Sequence, residues 1–207
     1  MSQQEFETLV IQDQGPVLRV MLNRPKLANA MNLKMVNELM AVMEKIEQEN
    51  YRVLIISGGN GNFCAGGDIK DMQSAGADKQ ALVELNRAFG HMITKADHLP
   101  AAVICALEGA VLGGGFGLAC VSDLAIAVEI TQFGLPETSL GIIPAQIAPF
   151  VVKRIGLTQT RRMALFGNRI KAQEAMSLGL IHQVVESNEQ LDEAVAKAVK
   201  LALKCAP

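Results

Sequence analysis

Apolar residues recur along this chain with two periods. Thr8 to Ile11 and Val17 to Leu22 run or alternate apolar around Asp13-Gln14-Gly15-Pro16, which predicts a β-hairpin. Asn23-Arg24-Pro25-Lys26 breaks the second strand. From Leu33 to Glu49 the period becomes helical: Met35, Val36, Leu39, Met40, Met43 and Ile46 share one face, with Asn32 placed as an N-cap. The methionine-rich stripe is core packing. Val53 to Ser57 is a buried strand, and Gly58-Gly59-Asn60-Gly61-Asn62 is a loop.

Beyond it, Asp68 to Gln73 reads as one or two helical turns, and Ser74-Ala75-Gly76-Ala77-Asp78 as a mobile segment. Residues 80–97 read as a helix with Leu82, Leu85, Phe89, Met92 and Ile93 inward, and Pro100 follows its end. Ala102 to Ala106 is a strand, Phe116 to Val121 a helix and Leu124 to Val128 a strand. Helical stretches follow near 145–154, 158–166 and 171–178, then strand Gln183 to Val185 and a helix from Leu191 to Cys205. Strands alternating with helices predict an α/β fold. No repeat, low-complexity tract or linker divides the chain.

Composition narrows the picture. Of 207 residues, 50% are hydrophobic and 19% charged, which is a globular balance able to bury a core. A net charge of −2, scattered Lys and Arg, and 4% aromatics give no basic stripe and few stacking platforms, so nucleic acid is not an expected partner. Cys64, Cys105 and Cys120 stand in apolar or glycine-rich stretches and, with Cys205, form no CxxC pair; the first three read as small buried hydrophobes in a reducing compartment. His91, His98 and His182 match no metal spacing, so no metal site is expected. The polar, acidic start resembles no targeting peptide, and the longest uncharged stretch, Gly109 to Val121, is too short and glycine-rich for a membrane span. A cytoplasmic protein without a membrane partner is expected.

The candidate chemistry lies in two glycine turns that each follow a strand. An isolated pair such as Gly66-Gly67 reads first as a tight turn or close packing, whereas Gly113-Gly114-Gly115, opening an apolar helix, points more strongly to bare N–H groups that meet a ligand. An oxygen that gains negative charge is stabilised by such donors, each worth about 2.7–4 kcal/mol in a transition state. Glu137, in Phe133-Gly134-Leu135-Pro136-Glu137-Thr138, supplies a carboxylate that can move a proton; from its neighbours alone it suits the first turn of a helix as well. A dinucleotide fingerprint at Gly113-x-Gly115 lacks its third glycine because position 118 is leucine, and no P-loop is present.

Several motifs carry a family resemblance. Asn23-Arg24-Pro25-Lys26-Leu27-Ala28-Asn29-Ala30, Phe63-Cys64-Ala65-Gly66-Gly67-Asp68-Ile69, Glu108-Gly109-Ala110-Val111-Leu112-Gly113-Gly114-Gly115, Ser122-Asp123-Leu124-Ala125-Ile126-Ala127 and Phe133-Gly134-Leu135-Pro136-Glu137 resemble the enoyl-CoA hydratase/isomerase (crotonase) family, in its order and spacing. The resemblance implies a crotonase-like spiral of ββα units over 1–207, a single core domain. It implies an acyl-CoA thioester substrate with no separate cofactor, since coenzyme A is part of the substrate. Gly67 and Gly114 match the oxyanion hole and Glu137 a catalytic carboxylate. Lys26, Leu27, Ala28 and Ala30 match the stretch that lines coenzyme A; Lys26 suits a phosphate, or solvent. Ala65, Asp68 and Ile69 match the segment touching its adenine and pantetheine parts, and Leu112 and Gly113 belong to the same site.

Three departures qualify this reading. The family's hydratases place a second glutamate in the helix after the triple glycine, where this chain has Gly117. After Leu140-Gly141-Ile142-Ile143-Pro144 the usual glycine-rich run is replaced by Ala145-Gln146-Ile147-Ala148-Pro149-Phe150-Val151-Val152. That run is similar to the isohexenylglutaconyl-CoA hydratases of acyclic terpene degradation, which implies a branched, glutaconyl-type substrate. Gln146 is placed to bind a water or a substrate carboxylate, or to face solvent at a helix start. Finally, the family continues beyond Pro207 through helices over the acyl pocket and the subunit contacts, so most of that C-terminal segment is expected to be missing. The family's trimers and dimers of trimers set the expected assembly. Hydration across C2–C3 is the expected reaction, with Δ3,Δ2-isomerisation by one glutamate as the alternative.

Overall fold

Parallel strands buried on both faces read as unbroken apolar runs, and three of them stand at the centre of the larger sheet. The computed structural model describes residues 6–68 and 79–206. Strands β1 (Leu9–Gln14) and β2 (Val17–Leu22) form the expected hairpin, with Leu9 opposite Leu22 and Gln14 opposite Val17. Its turn needs Gly15, at φ +70°. Strands β3 (Val53–Gly58), β4 (Ala102–Leu107), β6 (Leu124–Val128) and β9 (Gln183–Val185) follow in parallel, giving the order β1-β2-β3-β4-β6-β9.

A second, smaller sheet consists of β5 (Ala110–Leu112), β7 (Gln132–Gly134) and β8 (Ile170–Lys171). Isolated bridges carry its ladder onward from Val111 to Cys64 and from Gly67 to Met31. Each climb of the chain thus lays a strand in the larger sheet and a short segment in the smaller one, and returns through a helix. The helices are α1 (Leu33–Gln48), α2 (Lys79–Asp97), α3 (Gly114–Val121), α4 (Ala148–Phe166), α5 (Ala172–Ser177) and α6 (Asn188–Ala202). This is an α/β spiral of ββα units.

Alternation along each strand divides the core in two. On one face Leu54 and Ile56 of β3 join Phe63, Phe116, Phe133 and the buried face of α1. On the other, Val53 and Ile55 meet Leu191 and Val195 of α6. The α1 face is Met35, Val36, Leu39, Val42, Met43 and Ile46, with Met40 only half-buried beside it. Each fully buried side chain of this size stabilises by about 1.5–3 kcal/mol. Asn32 caps α1, its side chain accepting the Met35 N–H at 3.0 Å.

Boundaries differ from the sequence reading for local reasons. Helix α3 starts at Gly114, not Phe116, because the glycines form its first turn. Helix α4 starts at Ala148, not 145; residues 145–147 make turns onto Ile143 and Pro144, and Pro149 stands in the first helical turn. Its two predicted halves join without a loop, but Gly156 breaks the helical backbone at φ +76°, ψ 160°. Helix α6 starts at Asn188, three residues before the first apolar position, because Ser187 caps a polar first turn by accepting the Gln190 N–H. It ends at Ala202 rather than Cys205. The segments expected as helical turns and as mobile, 69–73 and 74–78, lie outside the described residues.

Candidate active site

The first glycine turn is sewn to its neighbours on both sides. Cys64 N–H donates to Ala110 O at 2.8 Å, and Leu112 N–H to Cys64 O at 2.9 Å. Met31 N–H donates to Gly66 O and Asp68 N–H to Met31 O, both at 2.8 Å. Those bonds use the groups flanking Gly67, so the alternation of extended backbone turns Gly67's own N–H away from Met31. Gly67 is exposed there, whereas Gly66 is buried at φ +104°.

The second turn pivots on Gly113, at φ +48°, ψ −113°. Its N–H donates to Gly134 O, and its carbonyl accepts the Gly117 N–H. Gly114 opens α3, so its N–H has no partner within the helix. A side chain at Gly114 would strike the Phe89 ring at 2.8 Å and Met31 Sδ at 3.2 Å. The turns meet: a Cβ on Gly113 would lie 3.4 Å from Gly66 Cα.

Glu137 hangs directly above this junction. It begins a one-turn helix, Glu137–Leu140, after Pro136 and before the left-handed Gly141. Thr138 Oγ1 anchors that turn by donating to Ala164 O at 2.6 Å. A Cβ on Gly113 would lie 2.9 Å from Glu137 Oε1. The other oxygen, Oε2, is buried and has no hydrogen-bond partner among the described residues. Burial pushes the Glu137 carboxyl above the usual carboxylate range, and its own backbone N–H offsets part of that shift.

These groups border a cavity of about 280 Å³. Of the residues singled out in the sequence, Ala65, Gly67, Leu112, Gly113, Gly114, Glu137 and Gln146 line it. Most of the rest is apolar, including Val36, Leu85, Phe89, Leu140, Ile142 and Ile147. Glu137 is the only carboxylate lining it among the described residues. Lys26, Leu27, Ala28, Ala30 and Asp68 do not line it. Ala28 nevertheless meets the first glycine turn in space, its O accepting the Ala65 N–H at 3.0 Å. Lys26 and Leu27 are exposed on a short turn closed by left-handed Ala28 and Asn29. Asp68 is buried beside Arg24, 2.9 Å from its guanidinium, which also holds Ala30 O. Ile69 lies outside the described residues.

The position of the family's second glutamate is closed. A Cβ on Gly117 would meet Ile147 Cγ2 at 2.5 Å and Ile93 Cδ1 at 3.4 Å. Ile147, which sequence reasoning did not single out, fills that space. Its neighbour Gln146 lies flat on α2, its side-chain oxygen occupying the place a Cβ would take at Gly90. Arg169 was also missed, since an isolated cation after a helix carries no sequence signal. Its stem packs over Gly134 and its guanidinium reaches Gln132 at 3.3 Å. Burial pushes the Cys64 thiol up to about 11, so beside the turn it is packing, not a nucleophile.

The sequence profile of the enoyl-CoA hydratase/isomerase family matches residues 12–206. The chain belongs to that family. The AtuE protein of Pseudomonas aeruginosa superposes with a TM-score of 0.94 at 52% identity, covering 97% of this chain and 79% of that one. An enoyl-CoA hydratase/isomerase from Marinobacter aquaeolei gives 0.92 at 53%, covering 97% and 78%. The 2,3-dehydroadipyl-CoA hydratase of Escherichia coli (strain K12) is 33% identical over 94% of this chain and 75% of its own.

Proposed function

We propose that this enzyme adds water across the C2–C3 double bond of an enoyl-CoA thioester, with Glu137 as its only acid/base group. The observation that carries the reading is a single desolvated carboxylate over the junction of the two glycine turns. Gly67 and Gly114 N–H groups hold the thioester oxygen. Glu137 takes a proton as water oxygen bonds to C3, and the electron pair of the double bond moves onto the thioester as an enolate. Glu137 then returns that proton to C2, and the carboxylate is regenerated. One carboxylate in both steps delivers hydroxyl and proton to the same face.

The branched, glutaconyl-type substrate rests on the Ala145-to-Val152 run, with Gln146 on the cavity wall. A relative named for a carboxylated acyl group supports it. Isomerisation remains the second reading, favoured by the closed space at Gly117, because moving a proton between C2 and C4 also needs one carboxylate. Lys26 to Ala30, Asp68 and Ile69 are proposed to flank the coenzyme A moiety, and a cytoplasmic homotrimer or dimer of trimers is the proposed assembly.

The test is mass spectrometry of products from a branched 2-enoyl-CoA and a 3-enoyl-CoA in D2O. Addition of one water to the 2-enoyl thioester, with one non-exchanging deuterium at C2, is expected, and NMR of the product should place that deuterium on the hydroxyl's face. Conversion of the 3-enoyl thioester alone, without added water, would make the enzyme an isomerase. Glu137→Gln should lower turnover by about 10²–10⁴-fold while thioester binding persists.

A further inference from the structure

Gln146 borders two cavities. A second groove of about 470 Å³ adjoins the acyl cavity, and the two share Asn86 and Gln146 as lining residues. The wall changes character across this boundary. On the reaction side it is Leu85, Phe89 and the Ile142-to-Ile147 segment; on the far side it is Asn86, Arg87, His91 and Thr94 of α2. No carboxylate lines the far groove among the described residues, and Arg87 has no ion-pair partner there. Thr94 spends its hydroxyl proton on Gly90 O at 2.8 Å. Gly90 in turn leaves the room in which the Gln146 side chain lies against the helix. A cation, an imidazole and two amides therefore gather beside the apolar cavity.

We infer that this groove is a subsite for a carboxylate carried on the acyl chain beyond C3, with Arg87 and Gln146 as its specificity-determining contacts. The inference rests on the hydratase reading of the adjoining cavity. A carboxylate must keep hydrogen-bond donors as it leaves water, and the apolar sleeve offers none. The groove offers a guanidinium, which suits a carboxylate geometrically, beside an amide already fixed in place. The other cation near the cavity, Arg169, has its stem packed over Gly134 and donates to Gln132 at the smaller sheet.

Binding of saturated thioesters tests the subsite apart from the reaction, because they have no double bond to hydrate. Calorimetry should show glutaryl-CoA binding about tenfold more tightly than pentanoyl-CoA, or about 1.4 kcal/mol. Arg87→Met should collapse that ratio to about one, and Gln146→Leu should reduce it. Equal affinities in the unmodified enzyme would overturn the inference. So would a ratio that survives in Arg87→Met, or one lost only in Arg169→Met. Failure of the hydratase reading would show separately, as absent hydration of 2-enoyl thioesters whatever the binding ratio.

Discussion

Glu137 is held in a place that suits catalysis and costs stability. Its raised pKa means the folded state holds the proton more firmly than the unfolded chain does. The stabilising contribution is full below the ordinary value of 4.5 and is lost as pH rises through the raised value. At neutral pH the ionised form is therefore a burden. Glu137→Gln should raise the melting temperature at pH 7, and the gain should vanish as pH falls below 4.5. Calorimetric melts at both pH values check this; equal melting temperatures at pH 7 would contradict the burial of Oε2. Activity should follow the opposite course. Its rising limb should have a midpoint above the usual carboxylate range, because water is activated only by the carboxylate.

The contact between α3 and the Ile147 segment closes position 117 to any side chain. Gly117 leaves no room for a side chain because Ile147 has taken it. Gly117→Ala should cost about 1–3 kcal/mol through overpacking, even though alanine favours the helix. In an Ile147→Ala background, which itself loses a buried side chain, the same Gly117→Ala change should cost little, read as non-additive urea midpoints. Long periodic elements such as α1 and the β1–β2 hairpin were legible in the sequence because their own spacing defines them. The strands β5, β7 and β8 were not. At two or three residues they carry no period, and they exist through partners such as Val111 opposite Phe133. The candidate site was reached differently. Gly67, Gly114 and Glu137 stand in segments that resemble the family's motifs, and the structure brings them to one cavity, whereas Ile147 acquires meaning only once it is seen lying against Gly117.

At the scale of the whole molecule, the larger sheet divides two cores. The cavity, both glycine turns and α1 to α3 lie with the larger core, while α6 covers the opposite face. Arg52, just before β3, ties that last helix down. Its guanidinium donates to Leu203 O and Ala202 O at 3.2 Å and also to Cys205 O. These carbonyls lie at and just beyond the C-terminal end of the helix, where a cation is well placed; Ala202 O also accepts the Cys205 N–H. One side chain thus closes a loop of 151 residues, from Arg52 to Leu203. The consequence is one of timing. Arg52 is made early but finds its acceptors only when the final helix has docked, so the two ends of that loop should open together. In deuterium exchange, Arg52→Ala should speed labelling of the last turn of α6 and leave the amides around Gly114 as slow as before.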